Sequence, residues 1–122
     1  MATPVSKWLD NMRTFWIEKQ PDRIAEILAP SLEYYEDPFK PPLTTVGAVV
    51  SAWQEIKGQE IEFVEIELLH ESAEGIGTAI WRFKTKDSPE HIGCYFIKID
   101  KKGKCVYFRQ FWNSKRLSPN VN

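Results

Sequence analysis

Apolar positions in the first half of the chain recur every three or four residues, the spacing that places side chains on one face of a helix. This pattern predicts three helices, over about 4–19, 22–29 and 45–57. Pro30 is expected to end the second helix, because proline cannot continue a helical ladder. The longest apolar stripe belongs to the first helix and consists of Val5, Trp8, Leu9, Met12, Phe15 and Trp16.

The second half of the chain alternates between apolar and polar residues, as strands do. The predicted strands are a short one over 32–37 and four longer ones over 60–69, 76–86, 91–100 and 104–113. A change of phase at Phe63-Val64 predicts a bulge in the first long strand. Helices followed by hairpin-linked strands indicate an α+β fold, with three N-terminal helices packed on a mainly antiparallel sheet. Strong sheet twist would curve the sheet into a cone around an internal cavity.

Alternation along the last two strands predicts which side chains face that hollow. If the turn between them has two residues, Tyr95 pairs with Gln110 above an apolar floor that includes Phe108. A three-residue turn would reverse the parity. The opposite face carries Lys98 and Arg109 between aromatic rings, which is typical of a partly wet surface or of a subunit interface.

Composition narrows the class of protein. With 122 residues, of which 43% are hydrophobic, the chain is expected to form one domain over 1–116, followed by a tail over 117–122. Five Trp, seven Phe and four Tyr favour an aromatic core or pocket. The net charge of -1 and the lack of a basic stripe disfavour a nucleic-acid partner. Short apolar runs and no signal-peptide pattern predict no membrane span and a cytoplasmic location.

The two cysteines, Cys94 and Cys105, have no metal-type spacing. They fall far apart on neighbouring predicted strands, beyond the reach of a disulfide, so two free thiols are expected. The acidic positions Glu60, Glu62, Glu65 and Glu67 lie on one strand. They are interpreted as a solvated or dimer-rim face, and they lack the geometry of a cation site. No metal and no cofactor are therefore predicted.

The segment Tyr34-Tyr35-Glu36-Asp37-Pro38-Phe39 holds the candidate chemistry. Proline restricts the residue before it to an extended conformation, so Asp37 is expected at a rigid strand end beside aromatic rings. A carboxylate in such surroundings is a candidate general base. The alternative is a carboxylate that caps the turn after Pro38 or pairs with a surface lysine.

The same segment belongs to a longer resemblance, which covers residues 5 to 114. Two helices lead into Tyr-Glu-Asp-Pro, Gly47 precedes an apolar helix ending in Trp53, and the chain closes with a strand around Phe108-Arg109-Gln110. This order resembles the SnoaL-like branch of the nuclear transport factor 2-like superfamily. The resemblance implies a cystatin-like α+β cone with a deep apolar cavity, commonly in homodimers. Members include ketosteroid isomerase, limonene epoxide hydrolase and polyketide cyclases.

Carried over by position, the resemblance implies that Asp37 is the general base of a ketosteroid isomerase-type site. Tyr95 falls where that enzyme keeps an oxyanion-hole acid, and Gln110 would orient the group that binds there. Met12 falls near the enzyme's helix tyrosine and cannot donate a hydrogen bond. The charged triad of limonene epoxide hydrolase is absent, since Gln110, Trp81 and Phe83 fall at or near its positions.

Two functions follow from this resemblance. The first is an isomerase or cyclase-type lyase that abstracts a proton next to a carbonyl. The second is a non-catalytic small-molecule binding or dimeric interaction module. Either one would bind a small apolar or aromatic molecule, and the expected ligand-binding residues are Met12, Trp16, Tyr35, Trp53, Trp81, Phe83, Phe108 and Trp112.

Overall fold

The computed structural model describes residues 3–115, so the expected tail over 117–122 lies outside the described residues. The elements are α1 Pro4–Ile17, a 3-10 segment Pro21–Ile27, β1 Leu28–Tyr35, α2 Val46–Trp53, a 3-10 segment Gln54–Gly58, β2 Ile61–Glu71, β3 Ile76–Thr85, β4 His91–Ile99 and β5 Cys105–Ser114. The architecture is α+β, as predicted.

Both α-helices begin at a threonine cap. The Thr3 hydroxyl accepts a hydrogen bond from the Ser6 amide at 3.3 Å, and the Thr45 hydroxyl accepts one from the Ala48 amide at 3.1 Å. Each cap satisfies a backbone N–H that has no partner within its helix. The first helix ends two residues earlier than predicted, and the third continues from Trp53 as a 3-10 segment.

The prediction of a helix over 22–29 is wrong at its end. The 3-10 segment stops at Ile27, and β1 begins at Leu28 and runs through Pro30. This strand lies at an edge of the sheet, and β5 is its one partner among the strands described, with a shift in register between Leu28 and Glu33. Proline is tolerated in an edge strand, because its missing N–H can face away from the partner strand. Pro30 therefore lies within β1, and the helical segment ends before it, at Ile27.

The sheet has five strands in the order β1-β5-β4-β3-β2. The last four strands of the chain form an antiparallel meander, and β1 adds to it in parallel beside β5. The pairing of β2 with β3 shifts between Ile61 and Phe63 and again between Leu68 and His70. The first shift adjoins the bulge predicted from the change of phase.

The pairing of β4 with β5 agrees with the prediction along most of its length. Tyr95 lies opposite Gln110, and Ile97 lies opposite Phe108. The register then shifts, so that Ile99 lies opposite Cys105. Cys105 is therefore buried, although strict alternation along β5 would put it on the same outer face as Arg109. The shift adds one residue to β5 and reverses the parity at that end of the strand.

The core lies between the sheet and the helices. α1 contacts β2 and β4, and α2 contacts β1. The Trp8 indole N–H donates to the Ile27 carbonyl at 2.7 Å, and its ring lies 5.9 Å from that of Phe108. Gly77 lets α1 approach the sheet closely, because a Cβ there would stand 2.7 Å from a methyl group of Val5.

Cys94 and Cys105 are both free thiols, as predicted. Burial raises the pKa of the Cys105 thiol to about 12, so this side chain stays protonated at neutral pH. Within residues 3–115, every helix is too short or too polar to cross a bilayer.

Candidate functional site

A pocket of about 80 Å³, hereafter the inner pocket, opens between the helices and the sheet. α1, α2 and the 3-10 segment after it contribute side chains from one side, and the sheet strands β1, β4 and β5 from the other. The lining residues are Met12, Trp16, Tyr34, Glu36, Ala52, Trp53, Glu55, Ile56, Gln59, Tyr95, Phe108 and Gln110. The structure thus brings together six of the residues expected at the site, namely Met12, Trp16, Trp53, Tyr95, Phe108 and Gln110.

The volume of the inner pocket limits what it can hold. Each water takes roughly 30 Å³ of liquid, and a cavity of about 150 Å³ is known to accommodate benzene. A space of about 80 Å³ is about half of the latter, so it suits a small polar group better than an aromatic ring. Aromatic side chains fill the space that a deep cavity would occupy. The Trp16 ring lies 4.7 Å from that of Phe83 and 6.3 Å from that of Trp53.

Two phenols border this space. The Tyr34 hydroxyl accepts a hydrogen bond from the Trp53 indole N–H at 2.9 Å, and its ring stacks on Phe108 at 4.4 Å. A hydroxyl that accepts in this way keeps its own proton for another acceptor. Tyr95 is 2% exposed and stacks on Trp81 at 5.6 Å.

Burial raises the pKa of both phenols above the ordinary range. For Tyr34 the hydrogen bond from Trp53 opposes this rise, whereas for Tyr95 the neighbouring Tyr34 adds to it. Both hydroxyls are therefore protonated at neutral pH. They can donate a hydrogen bond to an oxygen placed in the inner pocket.

Glu36 is the half-buried carboxyl group of the inner pocket. Burial is the main cause that raises its pKa, and the nearby charges of Glu55 and Asp37 add to the effect, while Lys40 opposes it. The Gln110 side-chain amide donates to the Glu36 carbonyl oxygen at 2.8 Å. This bond ties the backbone of the carboxyl-bearing residue to β5.

Asp37 lies elsewhere. Its Oδ1 accepts a hydrogen bond from the Phe39 amide at 2.9 Å, which is the turn-capping alternative that the sequence left open. It does not line the inner pocket. It lines a second cleft of about 310 Å³, hereafter the outer cleft, formed by Glu36, Asp37, Lys40, Pro41, Leu43 and Trp112. The role of Asp37 as a base stays a prediction.

The remaining expected ligand contacts lie outside the inner pocket. Tyr35 donates its hydroxyl proton to Glu33 at 3.0 Å, and the Arg109 guanidinium lies 3.9 Å from its ring. Trp81 and Phe83 are buried behind the lining, where they pack on lining aromatic rings. Trp112 is 49% exposed and belongs to the outer cleft.

Sequence reasoning missed Tyr34, Glu36, Glu55 and Gln59. A signal for the first two was present, because residues two apart in a strand share a face. Tyr34 and Glu36 therefore point together, opposite to Tyr35, whose side chain lies on the other side. Glu55 and Gln59 follow α2 in a 3-10 segment and its end, and no pattern in the chain marks them as pocket residues.

The charges of the inner pocket are acidic only, since its lining includes two glutamates and no Lys, Arg or His. Within the described range 3–115, no three His, Cys, Asp or Glu side chains come together as a metal site. The site can therefore accept a proton through a carboxylate and donate hydrogen bonds through phenols and amides.

Comparison with known proteins rests on structure alone. No family model matches the sequence, and no curated protein matches it significantly. Among solved structures, a steroid delta-isomerase from Pseudomonas aeruginosa aligns with a TM-score of 0.71 at 15% identity, covering 91% of this chain and 80% of that one.

Two further structures extend this likeness. A nuclear transport factor 2-like protein of unknown function from Burkholderia xenovorans has a TM-score of 0.73 at 9% identity, with 96% of this chain and 88% of that one covered. A putative polyketide cyclase from Xanthomonas campestris has a TM-score of 0.70 at 10% identity, with 92% of each chain covered. The chain therefore has the nuclear transport factor 2-like fold, which it shares with structures named as a steroid delta-isomerase and a putative polyketide cyclase.

Proposed function

We propose that the inner pocket is an acid–base site that abstracts a proton next to a carbonyl group of a small molecule. Glu36 is the proton acceptor, and the hydroxyl groups of Tyr34 and Tyr95 donate hydrogen bonds to the carbonyl oxygen. The observation that carries this proposal is that the half-buried carboxyl group of Glu36 and two buried phenols line the same small pocket. Solved structures of this fold named as a steroid isomerase and a polyketide cyclase support it.

The chemistry of each group suits its role. A carboxyl group with a raised pKa binds a proton more readily than an ordinary one, which improves a general base working near neutral pH. The electron pair of the broken C–H bond moves onto the carbonyl oxygen. The buried phenols of Tyr34 and Tyr95 stay protonated, so they can stabilise the negative charge that develops on this oxygen by hydrogen bonding. Return of the proton to another carbon atom would complete an isomerisation.

Asp37 and Gln110 also have roles in the proposed site. Asp37 is the competing base, adjacent in sequence and placed in the outer cleft. Gln110 is a positioning residue, because its amide holds the Glu36 carbonyl rather than a ligand. Substituting each acid separately tells the two bases apart.

The second candidate function is binding without chemistry. It is favoured by the small volume of the inner pocket and by Met12, which offers no hydrogen-bond donor. Under this alternative the protein binds a small molecule but accelerates no reaction. Replacing Glu36 or Asp37 would then have no catalytic rate to lower.

We further propose a homodimer that acts in the cytoplasm. Large apolar side chains lie exposed on the face of the sheet opposite the core, namely Ile80, Ile92, Phe96 and Phe111. Such a patch favours association with another protein surface, here a second copy. The two free thiols suit a reducing compartment.

The test of the acid–base proposal is exchange of carbonyl-adjacent hydrogen in heavy water, followed by proton NMR on small ketones. We expect the protein to accelerate exchange over buffer. The variant Glu36→Gln should lose about a hundredfold or more, whereas Asp37→Asn should keep most of the rate. Loss in Asp37→Asn alone would make Asp37 the base. Exchange no faster than in buffer would reject catalysis and leave the binding function.

A further inference from the structure

Glu36 lines both the inner pocket and the outer cleft. The two spaces therefore share a wall residue and meet at the end of β1. Leu43 of the outer cleft is tied to Tyr34 of the inner pocket by paired backbone hydrogen bonds, of 2.9 and 2.8 Å. The relative position of the two spaces is thus held by backbone contacts.

The strand β5 connects the two spaces along its length. Phe108 and Gln110 line the inner pocket, and Trp112 lines the outer cleft. Residues two apart in a strand share a face and lie roughly 6–7 Å from each other. A molecule lying along β5 would reach from the carboxamide of Gln110 to the indole of Trp112 within that distance.

The two spaces differ in size and in chemistry. The inner pocket, at about 80 Å³, suits a small polar group better than an aromatic ring and offers phenol donors and carboxylate acceptors. The outer cleft, at about 310 Å³, reaches the lower end of the range for small-molecule sites, roughly 300–1,000 Å³. It presents the Trp112 ring beside Pro41 and Leu43, which suits a flat apolar group.

We propose that the inner pocket and the outer cleft form one bipartite site for a molecule with an aromatic ring and a short, uncharged, carbonyl-bearing arm. The ring lies on Trp112 in the outer cleft, and the arm enters the inner pocket past Glu36. The carbonyl on the arm rests on the acid–base function proposed above. An anionic arm is disfavoured, because the inner pocket is lined by Glu36 and Glu55 and has no cationic side chain.

Binding of benzylacetone, a phenyl ring with a methyl ketone arm, tests the proposal. Fluorine NMR on protein labelled with fluorotryptophan reports on each of the five Trp residues, with the Trp112 signal assigned from Trp112→Ala. We expect benzylacetone to shift the Trp112 signal and to bind at least about tenfold more tightly than acetone, the arm alone. Hydrocinnamate, with a carboxylate arm, should bind at least about tenfold more weakly than benzylacetone.

A matched pair of variants makes the test specific. Trp112→Ala should weaken benzylacetone binding about tenfold or more, and it should leave acetone binding unchanged. Leu69→Ala removes an apolar side chain of similar exposure from β2, 54% against 49%, and should change neither affinity. Both side chains are partly exposed, so both variants are expected to fold.

The outcomes separate this inference from the acid–base proposal. Unchanged benzylacetone affinity in Trp112→Ala, or equal affinities for benzylacetone and acetone, would overturn the bipartite site even if ketone exchange depends on Glu36. Weakened binding in Trp112→Ala without any exchange would support the bipartite site and reject the catalysis. Absence of benzylacetone binding up to its solubility limit would overturn the inference for this class of ligand.

Discussion

Replacing Tyr34 by Phe tests the hydrogen bond on which the inner pocket is built. The Tyr34 hydroxyl accepts from the buried Trp53 indole N–H at 2.9 Å. Its removal leaves that N–H without a partner in an aromatic wall, which costs about 1–3 kcal/mol of unfolding free energy. A water molecule entering the pocket would bring the cost toward the lower value.

Urea denaturation followed by tryptophan fluorescence measures this cost. With a denaturant slope of about 1–3 kcal/mol per molar urea, a loss of about 2 kcal/mol lowers the midpoint by roughly 1 M. The neighbouring variant Tyr35→Phe is the matched control. Its hydroxyl bonds Glu33 at an exposed site, so its loss should cost less than about 0.5 kcal/mol.

A double-mutant cycle completes the test. If Tyr34 and Trp53 interact as described, the costs of Tyr34→Phe and Trp53→Phe should not add, and their coupling energy should be about 0.5–3 kcal/mol. Equal costs for Tyr34→Phe and Tyr35→Phe, or strict additivity in the cycle, would refute this arrangement of the pocket wall.

Three further predictions concern stability and association. Because burial raises the pKa of Glu36 in the folded state, the contribution of Glu36 to stability should fall as pH rises from the ordinary carboxyl value of 4.5 through the raised one. The variant Glu36→Gln should lack this fall in thermal scans, and a parallel fall in both proteins would contradict the origin assigned to it. If the exposed sheet face pairs two copies, the double variant Phe96→Glu/Phe111→Glu should sediment as a monomer. A molecular mass equal to that of the wild-type dimer would reject that interface. Gly93→Ala should destabilise by about 1–3 kcal/mol, because the new Cβ would stand 2.7 Å from an indole ring; Gly47→Ala, with open space around it, is the control and should not destabilise.

The fold was largely predictable from local pattern, and the exceptions have physical causes. The β4–β5 register followed from alternation until the bulge near Cys105, whose extra residue a two-residue period cannot reveal. The early start of β1 depends on its parallel pairing with β5. The two strands are far apart in sequence, so the local pattern around Pro30 could not show that a strand begins before this proline.

The site was less predictable than the fold. The proline motif drew attention to Asp37, whereas strand alternation from Tyr34 directs Glu36 to the inner pocket. The pocket volume was not predictable, because it depends on how the rings of Trp16 and Trp53 pack against each other. Packing of this kind is a tertiary property that periodicity does not contain.

Titration of Glu36 is the sharpest test of the proposed acid–base site. Carbon NMR of side-chain carboxyl groups, with the Glu36 signal assigned from Glu36→Gln, would follow its titration. We expect a Glu36 pKa above 4.5 that moves back toward this ordinary value in Glu55→Gln, since burial and Glu55 raise it. A Glu36 pKa at or below 4.5, unchanged by Glu55→Gln, would contradict a half-buried carboxyl group facing the inner pocket.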